Sequence, residues 1–302
     1  MLRLGIDTSN YTTSVALFDG EMIVQAKRPL PVKPGELGLR QSDALFHHTV
    51  QLPALLEELL AGAGKPAAVG VSDRPRAVEG SYMPCFCAGV CAARAVVAAL
   101  GVPLRQCSHQ QGHLAAALFS AARLDLLERE FLAFHISGGT TECLHVEPGL
   151  RARRIGGSLD LKAGQLVDRV GVLLGFSFPA GAALDALALE GALPRKVVPA
   201  VHGMDCHLSG IENQCRQLFD QGVPSADIAR YCLENVAAAI ELICARACES
   251  YGGLPLVFTG GVCCSEVLRR RIGTRFPQAL FAAPEFSADN AAGAAILAGR
   301  GL

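Results

Sequence analysis

The chain lacks a long apolar run, an excess of charge of either sign and any paired Cys-x-x-Cys spacing, and each absence removes a class of function. No uninterrupted apolar stretch reaches the roughly 18–20 residues that span a bilayer. Arg94 breaks the best candidate, from Ala88 to Leu100, so no membrane role is expected. The 27 basic and 28 acidic residues nearly cancel. No global field therefore favours a polyanion, and any RNA contact has to be local or shared with a partner. The longest basic cluster, Arg269-Arg270-Arg271, reads as the solvated end of a helix. Met1-Leu2-Arg3-Leu4-Gly5 enters a strand at once, without the charged and apolar regions of a signal peptide, which leads us to expect a cytoplasmic protein. Twelve cysteines are present, but a cytosolic chain keeps them reduced. Cys85, Cys87 and Cys91 lack the spacing of a structural zinc site and read as small apolar residues.

What is present is a two-lobed pattern. With 302 residues and 51% apolar content the chain exceeds what one core usually supports, so two lobes and a cleft between them are expected. Leu2 to Phe18 reads as two strands joined by the polar turn Thr8–Thr13, and Met22 to Arg28 as a third strand. A helix over Leu45–Ala63, a strand over Ala67–Val71 and an alanine-rich helix over Ala88–Leu100 follow, the last stopped by Gly101. The second half repeats this order: strand Phe131–Ile136, a turn at Ser137–Thr141, a returning strand Cys143–Val146, and helices at Leu161–Leu174, Ala183–Leu189 and Ala226–Tyr251. The strand Leu254–Phe258 then leads to the turn Thr259-Gly260-Gly261, and a final helix begins near Asn290. Such a duplication implies two similar layered lobes, with a ligand held where the turns face each other.

The motif with the most chemistry is Ser108-His109-Gln110-Gln111-Gly112-His113. Two histidines four apart on a helix project from one face and can share a metal. Asp289, ahead of the last helix, is a candidate third ligand, although an Asp there can equally cap the helix. His, His and Asp suit zinc or ferrous iron and leave positions open for a substrate oxygen. A zinc protease needs Glu after the first His as general base; this chain has Gln110, which cannot accept the proton. The other six histidines, His47, His48, His135, His145, His202 and His207, show no ligand spacing. Gly138-Gly139 and Gly260-Gly261 each follow an apolar strand, where a backbone free of side chains lets an anion approach. Asp168 and Asp185 flank Gly181 and are candidates either for ribose hydroxyls or for exposed helix carboxylates.

In order, Gly5-Ile6-Asp7-Thr8-Ser9, His109 to Ala116, Ser137-Gly138-Gly139-Thr140-Thr141, Leu159-Asp160 to Asp168, Phe178-Pro179-Ala180-Gly181, Thr259-Gly260-Gly261-Val262 and Asp289-Asn290-Ala291-Ala292 resemble the TsaD family. That family is the catalytic subunit of tRNA N6-threonylcarbamoyladenosine synthesis, formerly filed as a glycoprotease, and the resemblance covers nearly the whole chain. It implies an α/β protein of the actin-like ATPase (ASKHA) fold, two duplicated RNase H-like lobes with a helical insertion in the second. The lobes are expected at residues 1–125 and 126–289, the insertion at about 157–225, and a last helix over 290–302 packing back on the first lobe. It also implies one divalent metal, iron or zinc, held by His109, His113 and Asp289, and ATP, ADP or a threonylcarbamoyl adenylate as ligand. Residues 137–141 would meet the adenylate's acyl and phosphate region, and Asp168, Gly181 and Asp185 its sugar or base. Thr8, Ser9, Gly260, Gly261 and Ser265 complete the expected binding set. The acceptor would be the N6 amine of an adenosine beside the tRNA anticodon, and a homologous partner protein or a homodimer is expected.

The chain departs from the family where polar groups surround the acyl transfer. Tyr11 and Thr12 replace an acidic pair, Thr140 a histidine, Ser265 an asparagine, and Leu161 the second Asp of an Asp-Asp pair. Two other functions are therefore weighed beside the first: carbamoyl transfer to a different acceptor, and a nucleotide-binding partner subunit without catalysis.

Overall fold

The computed structural model describes residues 1–9, 11–31 and 39–299. Asn10, in the first polar turn, and the last three residues of the expected final helix lie outside the described residues. The chain divides into two compact units: Met1–Leu127 with Gly149–Arg151 and the chain from Ala288 onward, and Glu128–Pro148 with Ala152–Ser287.

The first unit begins with β1 (Arg3–Asp7), β2 (Thr12–Phe18) and β3 (Ile23–Pro29), then α1 (Gln41–Leu60), β4 (Ala68–Arg74), α2 (Phe86–Leu100), β5 (Leu104–Ser108) and α3 (His109–Ser120). Its sheet has the order β3-β2-β1-β4-β5. β1 runs antiparallel to β2 and parallel to β4, with Gly5 opposite both Ala16 and Gly70. The central strands are almost continuously buried, as expected for a sheet covered on both faces, and Leu4, Ile6, Val15, Val69 and Val71 are fully enclosed. β3, at the edge, keeps Val24 exposed and carries Lys27 and Arg28, a charged rim that discourages pairing with another chain. Gly101 ends α2 in the left-handed conformation, its N–H donating to Val97.

The second unit holds β6 (Phe131–Ile136), β7 (Thr141–Glu147), β8 (Arg151–Ser158), α4 (Ala163–Leu173), α5 (Gly181–Glu190), β9 (Ala200–His202), β10 (Asp205–His207), α6 (Ser209–Asp220), α7 (Ser225–Ser250), β11 (Leu256–Thr259), α8 (Glu266–Arg275), β12 (Leu280–Phe281) and α9 (Pro284–Ser287). The sheet order is β12-β11-β6-β7-β8-β10-β9. Five of these strands repeat the first sheet: β6 is antiparallel to β7 and parallel to β11, and β11 is parallel to β12. β9 and β10 extend the sheet at β8. This small hairpin between helices was not apparent from the sequence, since three-residue strands are too short to show alternation. Phe134, Phe258 and Phe281 stack at 4.8 and 4.7 Å across β6, β11 and β12. The long α7 closes one face of this core with Ile228, Leu233, Val236, Ile240 and Ile243, all buried.

The chain ends in α10 (Ala292–Leu297), which belongs to the first unit. Small residues let it lie almost on the backbone of its neighbours. A Cβ at Gly293 would stand 1.9 Å from the Gly112 carbonyl oxygen, so only glycine permits this approach of α10 to α3. Among the described residues no helix is long and apolar enough to cross a membrane.

Candidate functional site

The start of α3 is fixed locally. The Ser108 hydroxyl accepts from the Gln111 N–H at 3.2 Å, and the Gln111 side chain accepts from the Ser108 N–H at 2.9 Å. This reciprocal cap makes His109 the first helical residue and places His113 one turn later on the same face. Their Nε2 atoms lie 2.9 Å apart. Asp289, just ahead of α10, brings its Oδ1 to 3.4 Å from each of them. Asp289 does not cap α10, whose N-cap is Ala291 without a side-chain cap bond; Asn290 Oδ1 accepts from the Ala292 N–H at 3.1 Å, and the Asp289 carboxylate faces the imidazoles. His113 is 4% exposed and the side chains of His109 and Asp289 17% and 21%, so the corner is largely dry with one open side. Phe86, at the head of α2, stands edge-on to the His109 ring at 6.3 Å and walls it off.

Charge at this corner is tightly held. Burial alone would lower the His109 imidazolium, but Asp7 and Asp289 beside it raise it to about 10. His113 is pushed down by burial and by the positive charge of His109. Burial opposes ionisation of Asp289, yet hydrogen bonds from both histidines hold it well below the usual carboxylate range. Asp7 is likewise lowered, burial being outweighed by His109.

The donor set fits a divalent cation. Metal–nitrogen bonds of about 2.0–2.1 Å meeting at about 90–110° would put neighbouring donor atoms about 2.9–3.4 Å apart. The ligand atoms of His109, His113 and Asp289 have that spacing, all lying within 4.8 Å of one another. Asp7 and Asp289 bring two negative charges to the corner, which a divalent cation neutralises.

Thr8 and Ser9 lie at the end of β1 in the same unit, both buried. Thr8 Oγ1 donates to the Cys85 carbonyl at 3.0 Å and accepts from the Gly89 N–H at 3.1 Å, tying β1 to the start of α2. Ser9 turns back on Asp7, donating its N–H at 2.9 Å and its hydroxyl to Asp7 Oδ1. Asp7 is the residue that sequence reasoning passed over. A lone Asp inside an otherwise apolar strand was the available signal, because a buried carboxylate needs a partner.

In the second unit a pocket of about 550 Å³ collects six of the residues selected from the sequence: Gly138, Asp168, Gly181, Asp185, Gly261 and Ser265. Its remaining walls include Val167, Leu189, Leu233 and Val262, an apolar lining that the sequence alone could not assign to it. The Ser137–Thr141 turn is closed by the Ser137 N–H donating to the Thr140 carbonyl at 2.7 Å. Thr141 is buried, and its hydroxyl accepts from the Ala163 N–H at 2.8 Å, pinning the head of α4 beside that turn. Contact is close enough that a Cβ at Gly164 would stand 2.6 Å from the Gly138 nitrogen. Gly138 and Gly139 are exposed and Thr140 half-buried. Gly260, with φ of 97°, packs its backbone against Ile136.

The two pocket carboxylates are engaged with backbone. Asp168 accepts from the Ala180 N–H at 2.8 Å, and burial raises it from the usual carboxylate value. Asp185 accepts from Ser265 Oγ at 2.5 Å and from the Glu266 N–H at 2.8 Å, while Ser265 caps α8 through the Leu268 N–H at 3.3 Å. Asp160, next to the replaced Asp, accepts from the Leu161 and Leu208 N–H groups at 2.6 and 2.8 Å and from Ser209 Oγ at 2.6 Å, joining the β8–α4 connection to α6. Leu161 itself sits in the core of the unit. The Arg269–Arg271 cluster is no bare basic patch: Arg269 donates to the Cys263 and Ala282 carbonyls, Arg270 pairs with Glu266, and Arg271 pairs with Glu234 and Glu241.

Residues 34–296 match the family described as TsaD, tRNA N6-adenosine threonylcarbamoyltransferase. A relative from Methanopyrus kandleri named tRNA N6-adenosine threonylcarbamoyltransferase is 30% identical over 300 residues, covering 97% of this chain and 85% of the relative. Among solved structures, component A of the Acidaminococcus fermentans (R)-2-hydroxyglutaryl-CoA dehydratase superposes with a TM-score of 0.59 at 19% identity, covering 99% of this chain and 97% of that one. A ROK family glucokinase from Streptomyces griseus, solved with glucose and AMPPNP, gives 0.56 at 16% identity, with 99% of each chain covered. The fold is therefore that of the actin-like ATPases, and the chain belongs to the TsaD family.

Proposed function

We propose that the chain is a metal-dependent transferase that moves a threonylcarbamoyl group from its adenylate to the N6 amine of an adenosine beside a tRNA anticodon. The observation that carries this reading is the convergence of His109 Nε2, His113 Nε2 and Asp289 Oδ1 in a chain of this family. These three residues would hold the cation, zinc or ferrous iron, and the cation supplies a Lewis acid that polarises the transferred carbonyl and neutralises charge developing on it.

The protein's own groups account for the rest. The pocket of the second unit takes the nucleotide part of the adenylate: Val167, Leu189 and Leu233 offer an apolar surface for a base. The Gly138-Gly139 turn presents backbone with no side chain to keep a phosphate away. Asp168 keeps one oxygen on the Ala180 N–H and turns the other to a sugar hydroxyl. In the first unit His113 and Phe86 are buried beside the metal-holding atoms, so that corner admits little water. The near-neutral charge of the chain and the paired Arg269–Arg271 cluster imply that much of the tRNA contact comes from a partner protein, in a cytoplasmic assembly.

The test is direct. The metal-loaded protein is incubated with threonylcarbamoyl adenylate, unmodified tRNA and the partner proteins of the pathway, and the digested tRNA is analysed for the modified nucleoside by mass spectrometry. Modified adenosine that depends on His113 supports the reading; none formed at full metal occupancy overturns it.

A further inference from the structure

Asp7 ends β1 at 1% exposure, a carboxylate with almost no access to solvent. Its Oδ1 accepts from the Ser9 N–H and hydroxyl, which holds the carboxyl group in a tight local turn. Its other oxygen, Oδ2, lies 2.9 Å from His109 Nδ1. An ionised carboxylate has no hydrogen to give, so the hydrogen of this contact belongs to Nδ1. When a cation takes the place of the hydrogen on the other ring nitrogen, the His109 Nε2 lone pair is directed to the point shared with His113 Nε2 and Asp289 Oδ1. A neutral imidazole without such a partner is free to place its hydrogen on Nε2, which would close that nitrogen to a cation.

We propose that Asp7 is the positioning residue of the metal centre: it fixes the tautomer and ring orientation of His109 so that Nε2 faces the cation, and it makes that nitrogen a stronger donor. Such an outer carboxylate commonly governs affinity as much as a ligand does. The Ser9 turn makes the device rigid, since the carboxyl group cannot rotate without losing two hydrogen bonds. This inference rests on the reading of His109, His113 and Asp289 as the metal-holding set.

Titration of the metal-free protein with cobalt(II), followed by its visible absorption and by competition with a chelator, separates the possibilities. In Asp7→Asn the side chain keeps its shape but can donate to Nδ1, so the hydrogen moves to Nε2. We expect cobalt(II) affinity about 10- to 100-fold weaker than wild type and an altered absorption band at saturation, in protein whose circular dichroism is unchanged. Ser9→Ala, which loosens the carboxyl group without removing it, should weaken binding several-fold and serves where Asp7→Asn does not fold. Wild-type affinity in a folded Asp7→Asn, or in Ser9→Ala if that alone folds, overturns the inference. His113→Ala distinguishes the two levels: if it binds cobalt(II) as wild type does, the metal reading itself fails, whereas loss in His113→Ala with full retention in Asp7→Asn sinks only the role of Asp7.

Discussion

In the first unit, three side chains from α3 and the segment before α10 bring their donor atoms within 4.8 Å of one another. In the second, the pocket is walled by Gly138, Gly164, Val167 and Leu233, and its carboxylates Asp168 and Asp185 are turned to backbone N–H groups and a serine hydroxyl. One region is built from a few ionisable atoms held by each other's charge, the other from backbone shape and an apolar lining. The first should therefore be sensitive to the loss of single atoms, and the second to the addition of atoms where backbone must pass close.

The strongest way to break the comparison is to remove one donor atom. His113→Ala should weaken metal binding by more than about a hundredfold, since each ligand carries a large share of such a site's affinity. Elemental analysis after dialysis reads this, with ADP affinity measured by calorimetry as the counterpart. If both fell together, the two regions would not be separable.

A paired glycine experiment sharpens it. Gly293→Ala places a Cβ 1.9 Å from the Gly112 oxygen, and Gly164→Ala places one 2.6 Å from the Gly138 nitrogen. Overpacking should cost about 3 kcal/mol in the first and about 2 kcal/mol in the second, read by urea unfolding. The first should also lower metal content, because it displaces the segment that carries Asp289, and the second should lower ADP affinity with metal content intact. The opposite assignment of these losses would contradict the division drawn here.

The smallest expected effect concerns Asp160, which joins the β8–α4 connection to α6. Its carboxylate is held well below its ordinary value: burial opposes ionisation, and the Ser209 hydroxyl with the Leu208, Leu161 and Ser209 N–H groups more than offsets it. A depressed native value means the stabilisation is present above the ordinary carboxylate range and is lost as pH falls below about 4. Asp160→Asn should cost about 1 kcal/mol at pH 7, since solvent screens a carboxylate this exposed, and should flatten the acid limb of a stability–pH curve. An unchanged acid limb would show that Asp160 contributes nothing particular to the second unit.

Much of the site was legible in the sequence because its determinants are local. The spacing of His109 and His113 is a property of any helix, and Ser108 with Gln111 fixes where that helix starts. Gly138, Gly181 and Gly261 follow breaks in apolar periodicity, and the structure sets all three around one pocket. The short β9–β10 hairpin and the apolar wall from Leu233 were not legible. Neither carries a local signature: the hairpin exists by pairing with β8, and Leu233 looks like any core residue of the long α7.

The sequence by itself determined the duplicated α/β pattern, the helix that presents two imidazoles and the turns that leave backbone open, because hydrophobic period, capping and glycine placement act over a few residues. Only the tertiary structure decided that Asp289 meets those imidazoles and that Asp7 pairs with His109 across 102 positions of chain. The physical reason is that a buried charge chooses its partner by distance in space, and that distance is set by how β1, α3 and α10 pack.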